Sequence, residues 1–221
     1  MKKKIAILGS TGSIGTSTLE IIRKDIKNFD IILLSANNNY KKLINQAKEF
    51  KAKNVLIRNK LFYAKVKTSL RNNKTKVYSG EISLNMLLEC NVEYVIIGHS
   101  ERRQFYYEDD SQINDKILRA LNAKLKPIVC IGETLQERQS NETALVLERQ
   151  LTNAFENIEQ NEYDNIIVAY EPVWAIGTGE TATPEQANSM HSIIRKEIGS
   201  LGNTEVAANI QILYGGSVNV E

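Results

Sequence analysis

Ile166-Ile167-Val168-Ala169-Tyr170-Glu171-Pro172-Val173-Trp174-Ala175-Ile176-Gly177-Thr178-Gly179 is the stretch around which the rest of the chain is read. Its first five residues form an apolar run of strand length and strand composition. A carboxylate, Glu171, stands where that strand would end, and Pro172 stiffens the backbone just beyond it. Val173 to Ile176 make an apolar loop, with Gly177-Thr178-Gly179 as a flexible far end. Thr183-Pro184-Glu185-Gln186 then reads as a helix start: Thr183 as N-cap, Pro184 at the first helical position, Gln186 three residues after the cap. An acid at a strand's C-terminal end, beneath an apolar flap with a glycine hinge, suits a general base that must be shielded from water. The alternative is an ordinary strand–loop–helix connection with an exposed glutamate.

Working outward, the same strand-then-helix rhythm repeats along the chain. Apolar runs at residues 5–8, 31–34, 55–57, 77–78, 94–98, 128–132, 166–170 and 210–214 predict eight strands. Helical spacing falls between them, as in Leu43, Ile44, Ala47 and Phe50, or Ile113, Ile117, Leu118 and Leu121. A short helix is expected over 82–89. Alternating units of this kind make a parallel sheet, so the fold class is α/β. The chain is 221 residues long, enough for one large domain or two small ones. A net charge of +2 with both signs scattered gives no argument for a nucleic-acid or membrane partner. The two cysteines, Cys90 and Cys130, lie in or near apolar runs and read as buried reduced thiols in a cytoplasmic protein. The apolar run that follows the opening lysines is too short for a signal or transmembrane segment.

Gly9-Ser10-Thr11-Gly12-Ser13-Ile14-Gly15 fits a strand, a glycine-rich turn and a helix start, with Ser13 as the expected cap. Backbone N–H groups there can cradle a pyrophosphate; the other reading is a turn needed for tight packing. The next strand ends in Ser35-Ala36-Asn37-Asn38-Asn39, without the acid that reads an NAD ribose. Residues 1 to about 84 resemble the NADPH-binding half-domain of 1-deoxy-D-xylulose 5-phosphate reductoisomerase. The resemblance implies Thr11, Gly12, Ser13 and Ile14 on the NADPH phosphates and Asn39 near the ribose. Asn37 and Asn38 stand where that family carries Gly and Lys, and its metal- and substrate-binding region has no counterpart here.

From about Met86 onward the chain resembles triosephosphate isomerase. The matching segments are Tyr94 to Arg103 with His99-Ser100-Glu101-Arg102-Arg103, then Cys130-Ile131-Gly132-Glu133, Ala169 to Thr183, and Tyr214-Gly215-Gly216-Ser217-Val218. This second resemblance implies part of a (β/α)₈ barrel and a cytoplasmic enzyme of glycolysis and gluconeogenesis. Such an enzyme interconverts glyceraldehyde 3-phosphate and dihydroxyacetone phosphate without cofactor or metal. Glu171 would be the base, His99 the electrophile, and Glu101 part of the charged network. Gly177 and Ser217 would bind the substrate phosphate. His191 reads as structural, as do Cys130 and Glu133, while Arg102 and Arg103 are expected to pair with acids. The two resemblances together predict a Rossmann-like front half, 1–84, joined to a partial TIM barrel, 85–221. In that reading the family's first-strand lysine, its eighth strand and the loop that holds its homodimer are missing, and isomerase activity is weak or lost. The alternatives are an NADPH-binding fragment and a non-catalytic fusion of two gene fragments.

Overall fold

The computed structural model describes residues 2–176, Thr178 and 180–217. They form two compact units, residues 1–92 and 93–221. In the first unit the order is β1 (Lys3–Ile7), α1 (Ser13–Lys24), β2 (Phe29–Ala36), α2 (Tyr40–Glu49), β3 (Asn54–Ile57), α3 (Tyr63–Ser69), β4 (Lys76–Ser79) and α4 (Leu84–Glu89). The second unit continues with β5 (Tyr94–Ile97), α5 (Ser100–Tyr106), α6 (Asp110–Asn122), β6 (Lys126–Ile131), α7 (Leu135–Gln139), α8 (Thr143–Ala154), β7 (Ile167–Tyr170), α9 (Pro184–Leu201), α10 (Thr204–Asn209) and β8 (Gln211–Tyr214). Every strand lies where an apolar run predicts one. The units divide at Val92/Glu93, so α4 belongs to the first unit rather than to the join expected at 84/85.

Each unit holds one four-stranded parallel sheet, in the order β1-β2-β3-β4 and β5-β6-β7-β8. Each strand pairs with its neighbour in sequence. A dinucleotide-binding sheet reverses its strand order at the ligand crevice. The first unit steps one way through all four strands, so its order has no such switch point among the described residues. The one-way order is the winding of a barrel segment.

The helices form for legible reasons. α9 starts with the full device read from its sequence: the Thr183 hydroxyl accepts from the Gln186 amide, and the Gln186 side chain accepts from the Thr183 amide. α6 is capped by Asp109, whose side chain accepts from the Gln112 amide, and it buries Ile113, Ile117 and Leu121. In the first unit Leu19 and Ile22 of α1 pack with Leu43 and Ala47 of α2, Val66 of α3, and Leu34, Val55 and Ile57 of the sheet. In the second, Val129, Ile131, Val168 and Tyr170 lie under Ile117, Leu147, Leu151, Ile194 and Ile198, all 5% exposed or less. Burying a side chain of this size is worth about 1.5–3 kcal/mol, and these layers hold the strand ends in place.

Candidate active site

The site is built at the C-terminal ends of β5, β6 and β7. β7 ends at Tyr170, and its pairing runs one residue further, where the Glu171 amide donates to the Ile131 carbonyl at 2.7 Å. That bond draws the Glu171 backbone down onto the end of β6. A Cβ placed on Gly132 would meet the Glu171 carbonyl oxygen at 1.9 Å, so only glycine fits there. On the other side Gly215 donates to the Tyr170 carbonyl at 2.7 Å, and a Cβ on it would lie 2.7 Å from Glu171 Cγ. Gly132 therefore makes room for the Glu171 backbone and Gly215 for its side chain.

Glu171 is only 8% exposed. One carboxylate oxygen lies 3.5 Å from His99 Nε2, and the other accepts from the Ser100 amide at 3.4 Å. The buried Cys130 thiol lies near the same carboxylate. Burial pushes the Glu171 carboxyl above its usual range; His99, Cys130, the Ser100 amide and Arg103 oppose the shift without cancelling it. The carboxylate is thus made more basic by its surroundings while His99 and the Ser100 amide orient it. Cys130, buried and next to this negative charge, is pushed well above the ordinary thiol range.

His99 does more than end a strand. It is the N-cap of α5, and its Nδ1 accepts from the Glu101 amide at 3.2 Å. An accepting Nδ1 carries no proton, so this bond assigns the proton to Nε2, the nitrogen that faces Glu171. The result is an imidazole that presents its Nε2–H toward the buried Glu171 carboxylate. Arg103 fixes the corner that carries His99: its Nε donates to the Gly98 carbonyl at 3.1 Å, and its Nη1 pairs with Asp110 at 2.5 Å. Arg102 pairs with Glu108, which also takes Lys116 at 2.5 Å. Both arginines therefore serve acids, as the sequence suggested. Glu101 lies exposed in the first turn of α5; it reaches the site through its backbone N–H, and its carboxylate has no partner among the described residues.

A second buried acid organises the loop after Glu171. Glu133 is 0% exposed and accepts from Tyr170 Oη at 3.1 Å, Trp174 Nε1 at 2.9 Å and Arg138 Nη1 at 3.2 Å. The Arg138 guanidinium also stacks over the Trp174 ring, 4.4 Å from its centroid. Its structural assignment from sequence stands, but the function is specific: it holds the end of β7 and the start of the apolar loop together. The Ser217 amide and hydroxyl both donate to the Ala175 carbonyl, at 3.3 and 2.8 Å, and Tyr214 Oη accepts from the Ala182 amide at 3.2 Å. Gly177, read as a phosphate donor, lies outside the described residues. His191 packs edge-on against Tyr170 inside α9, where burial lowers its pKa.

The glycine-rich turn of the first unit is a different matter. Its Gly9 amide donates to Ser35 Oγ, Ser10 to the Ser35 carbonyl and Gly12 to the Gly9 carbonyl. Lys42 Nζ donates to the Thr11 carbonyl, and the Asn39 side chain is spent capping α2. The cap of α1 is Gly12, not Ser13. A Cβ on Gly15 would meet the Gly9 carbonyl at 2.5 Å, which explains the glycine by helix–strand packing alone. Of the residues expected to hold NADPH, the Gly12 amide and the Asn39 side chain are engaged inside the unit.

Sequence reasoning missed three contributors: the Ser100 amide, the Cys130 thiol and the cap made by His99. The signal for the last was present, since Ser100-Glu101-Arg102-Arg103-Gln104 directly after a strand is a run of helix-compatible polar residues.

Fold and site together define a class of βα-repeat proteins: one-way parallel sheets, the second with a buried carboxylate and a histidine facing each other from the ends of β7 and β5. The sequence model of the family described as triosephosphate isomerase matches residues 36–221. The chain belongs to the triosephosphate isomerase family. It is 54% identical over 144 residues to the triosephosphate isomerase of Geotalea uraniireducens (strain Rf4), covering 65% of this chain and 57% of that one. The Alkaliphilus oremlandii (strain OhILAs) enzyme is 50% identical over 141 residues, 64% of this chain and 57% of its own. That of Entamoeba histolytica (strain ATCC 30459 / HM-1:IMSS / ABRM) is 48% identical over 158 residues, 71% and 60%. The chain thus spans less than two thirds of the length of these curated relatives. The family match begins at residue 36, at the end of β2, so Asn39 and most of the first unit lie within it. The expected fusion to a reductoisomerase segment draws no support from these matches, nor does a loss of activity. Triosephosphate isomerase is itself the standard illustration of a glutamate base working beside a neutral histidine under a closing loop; the geometry given above is this chain's own.

Proposed function

We propose that the second unit interconverts glyceraldehyde 3-phosphate and dihydroxyacetone phosphate. The observation that carries this reading is the buried Glu171 carboxylate 3.5 Å from His99 Nε2, with Nδ1 occupied by the Glu101 amide. Glu171 takes a proton from the carbon next to the substrate carbonyl. The Nε2–H of His99 donates a hydrogen bond to the carbonyl oxygen as negative charge grows on it. The hydroxyl proton of the resulting enediolate passes by way of His99 Nε2 to the former carbonyl oxygen. The protonated Glu171 returns its proton to the former carbonyl carbon, which leaves the carbonyl on the other carbon. Substrate and product are isomers, so no hydride or electron changes hands and the step balances without a redox cofactor. The Ser217 amide and hydroxyl, now on the Ala175 carbonyl, are the donors we assign to the substrate phosphate, and Gly177 is assigned the same role. Cytoplasmic placement belongs to the same proposal and is supported by two buried free thiols. Among the described residues no helix is long and apolar enough to cross a membrane.

A coupled assay with purified protein tests the proposal. General-base catalysis contributes about 10²- to 10⁴-fold, so Glu171→Gln should lower turnover by at least about 10². Turnover equal to buffer in the unaltered chain, or unchanged in the variant, rejects it.

A further inference from the structure

The division into two units changes what the charge of this chain means. Residues 1–92 contain 18 Lys and Arg against 6 Asp and Glu, a formal +12; residues 93–221 contain 10 against 20, a formal −10. The whole-chain value of +2 is the near-cancellation of these two halves, and the expectation of no nucleic-acid partner rested on that total. Asymmetry of this size points to a polyanionic partner for the basic half.

The basic charge is concentrated further. Nine cations and no acid lie between Glu49 and Glu81. The ion pairs among the described residues of this unit are Arg23–Glu49, Lys53–Asp30 and Arg58–Glu81. None of them engages Lys67, Arg71 or Lys76, all three exposed. These three line a single open groove of about 650 Å³ between α3 and β4, together with Tyr63, Thr75 and Tyr78. Lys67 Nζ sits over the Tyr63 ring, 5.3 Å from its centroid. Unpaired like charges crowded along one groove repel one another and destabilise the compact state. A bound chain of phosphates relieves that repulsion, and half-buried tyrosine rings among the cations offer faces for stacking bases.

We propose that this groove binds single-stranded nucleic acid, the three cations following the phosphate backbone and Tyr63 and Tyr78 stacking on bases. Both components are those of sequence-tolerant single-strand binding. The proposal uses only residues of the first unit and stands or falls independently of the isomerase reading.

The test is fluorescence anisotropy of a labelled oligothymidylate of about 15 nucleotides with the full chain, in about 50 and about 200 mM salt. Three phosphate contacts give a log–log salt slope near about −2, a weakening of roughly twenty-fold across that range. The triple variant Lys67→Glu, Arg71→Glu, Lys76→Glu should bind at least about ten-fold more weakly. The control variant Lys2→Glu, Lys3→Glu, Lys4→Glu changes the same charge near β1, the opposite edge of the sheet, and should bind nearly as the unaltered chain does. Circular dichroism checks folding; if the triple variant does not fold, Arg71→Glu alone, at an exposed loop position, takes its place with an expected loss of about three-fold or more. No binding at about 100 μM protein, or equal weakening by the groove and control variants, overturns the proposal. So does competition by inorganic polyphosphate that matches the oligonucleotide charge for charge, because the rings would then contribute nothing.

Discussion

Replacing Glu133 by glutamine is the most informative single perturbation of the loop that follows the base. Glu133 is fully buried and accepts from three donors: Tyr170 Oη, Trp174 Nε1 and Arg138 Nη1, at 2.9–3.2 Å. The substitution removes the charge and turns one acceptor oxygen into an –NH2 donor. Arg138 loses its carboxylate; breaking one side of a buried pair costs about 3–5 kcal/mol, and the lower end applies because Arg138 is 27% exposed and can turn toward water. Either Tyr170 or Trp174 then faces a donor, adding about 1–2 kcal/mol for a buried polar group left unsatisfied. The expected loss is therefore about 4–5 kcal/mol in the second unit. Trp174 is the chain's one tryptophan, so its emission during a urea melt reports on this unit. Its spectrum should shift red in the native baseline as the ring loses its carboxylate partner. A stability change below about 1 kcal/mol with unaltered Trp174 emission would refute the role given to Glu133.

Other outcomes follow from the same geometry. The folded pKa of Glu171 lies above its unfolded value. Its contribution to stability is therefore fully present below the unfolded pKa and lost as pH rises through the folded one. Glu171→Gln should accordingly be more stable than the unaltered chain at neutral pH, by about 1.4 kcal/mol for each unit of upward shift, and this gain should vanish in acid; equal melting midpoints at both pH values contradict it. Because the base must be ionised to act, the acid limb of kcat/KM should fall above the range of an ordinary carboxylate, and a limb at or below about 4.3 would contradict the assigned environment. Gly132→Ala sets a Cβ 1.9 Å from the Glu171 carbonyl oxygen and should give insoluble or inactive protein, whereas full activity would show that the strand ends can separate. Tyr170→Phe removes one of the donors to Glu133 and should cost about 1 kcal/mol by urea melt, a value that a neutral result would rule out.

Much of the fold was legible because buried parallel strands are short apolar runs between turn residues, and each of the eight runs became a strand. α9 was legible down to its cap because Thr183, Pro184 and Gln186 each have a local physical reason to be there. Ser35 shows the limit. It reads as the polar end of a strand, yet β2 continues through it because its Oγ takes the Gly9 amide from a turn some 26 residues away in sequence. α5 and α7 were not seen, having seven and five residues and too few turns to show a period. For the site, Glu171 could be found from sequence because it ends a strand beneath an apolar loop, whereas His99 came from the resemblance of the segment Tyr94 to Arg103 to triosephosphate isomerase. Cys130 could not, since an apolar run gives a thiol no reason to face a carboxylate until the strand pairing puts it beside Ala169, two residues before Glu171. The charge asymmetry was hidden by summing over a chain that folds as two units.

The central claim is that Glu171 moves a single proton between neighbouring carbons of a triose phosphate while His99 steadies the oxygen. The most direct measurement is proton NMR of dihydroxyacetone phosphate incubated with the protein in heavy water. The account predicts exchange of one of the two hydrogens on the reacting carbon, with the other retained, and no exchange with Glu171→Gln. Exchange of both hydrogens alike, none above buffer, or unchanged exchange in the variant would contradict it.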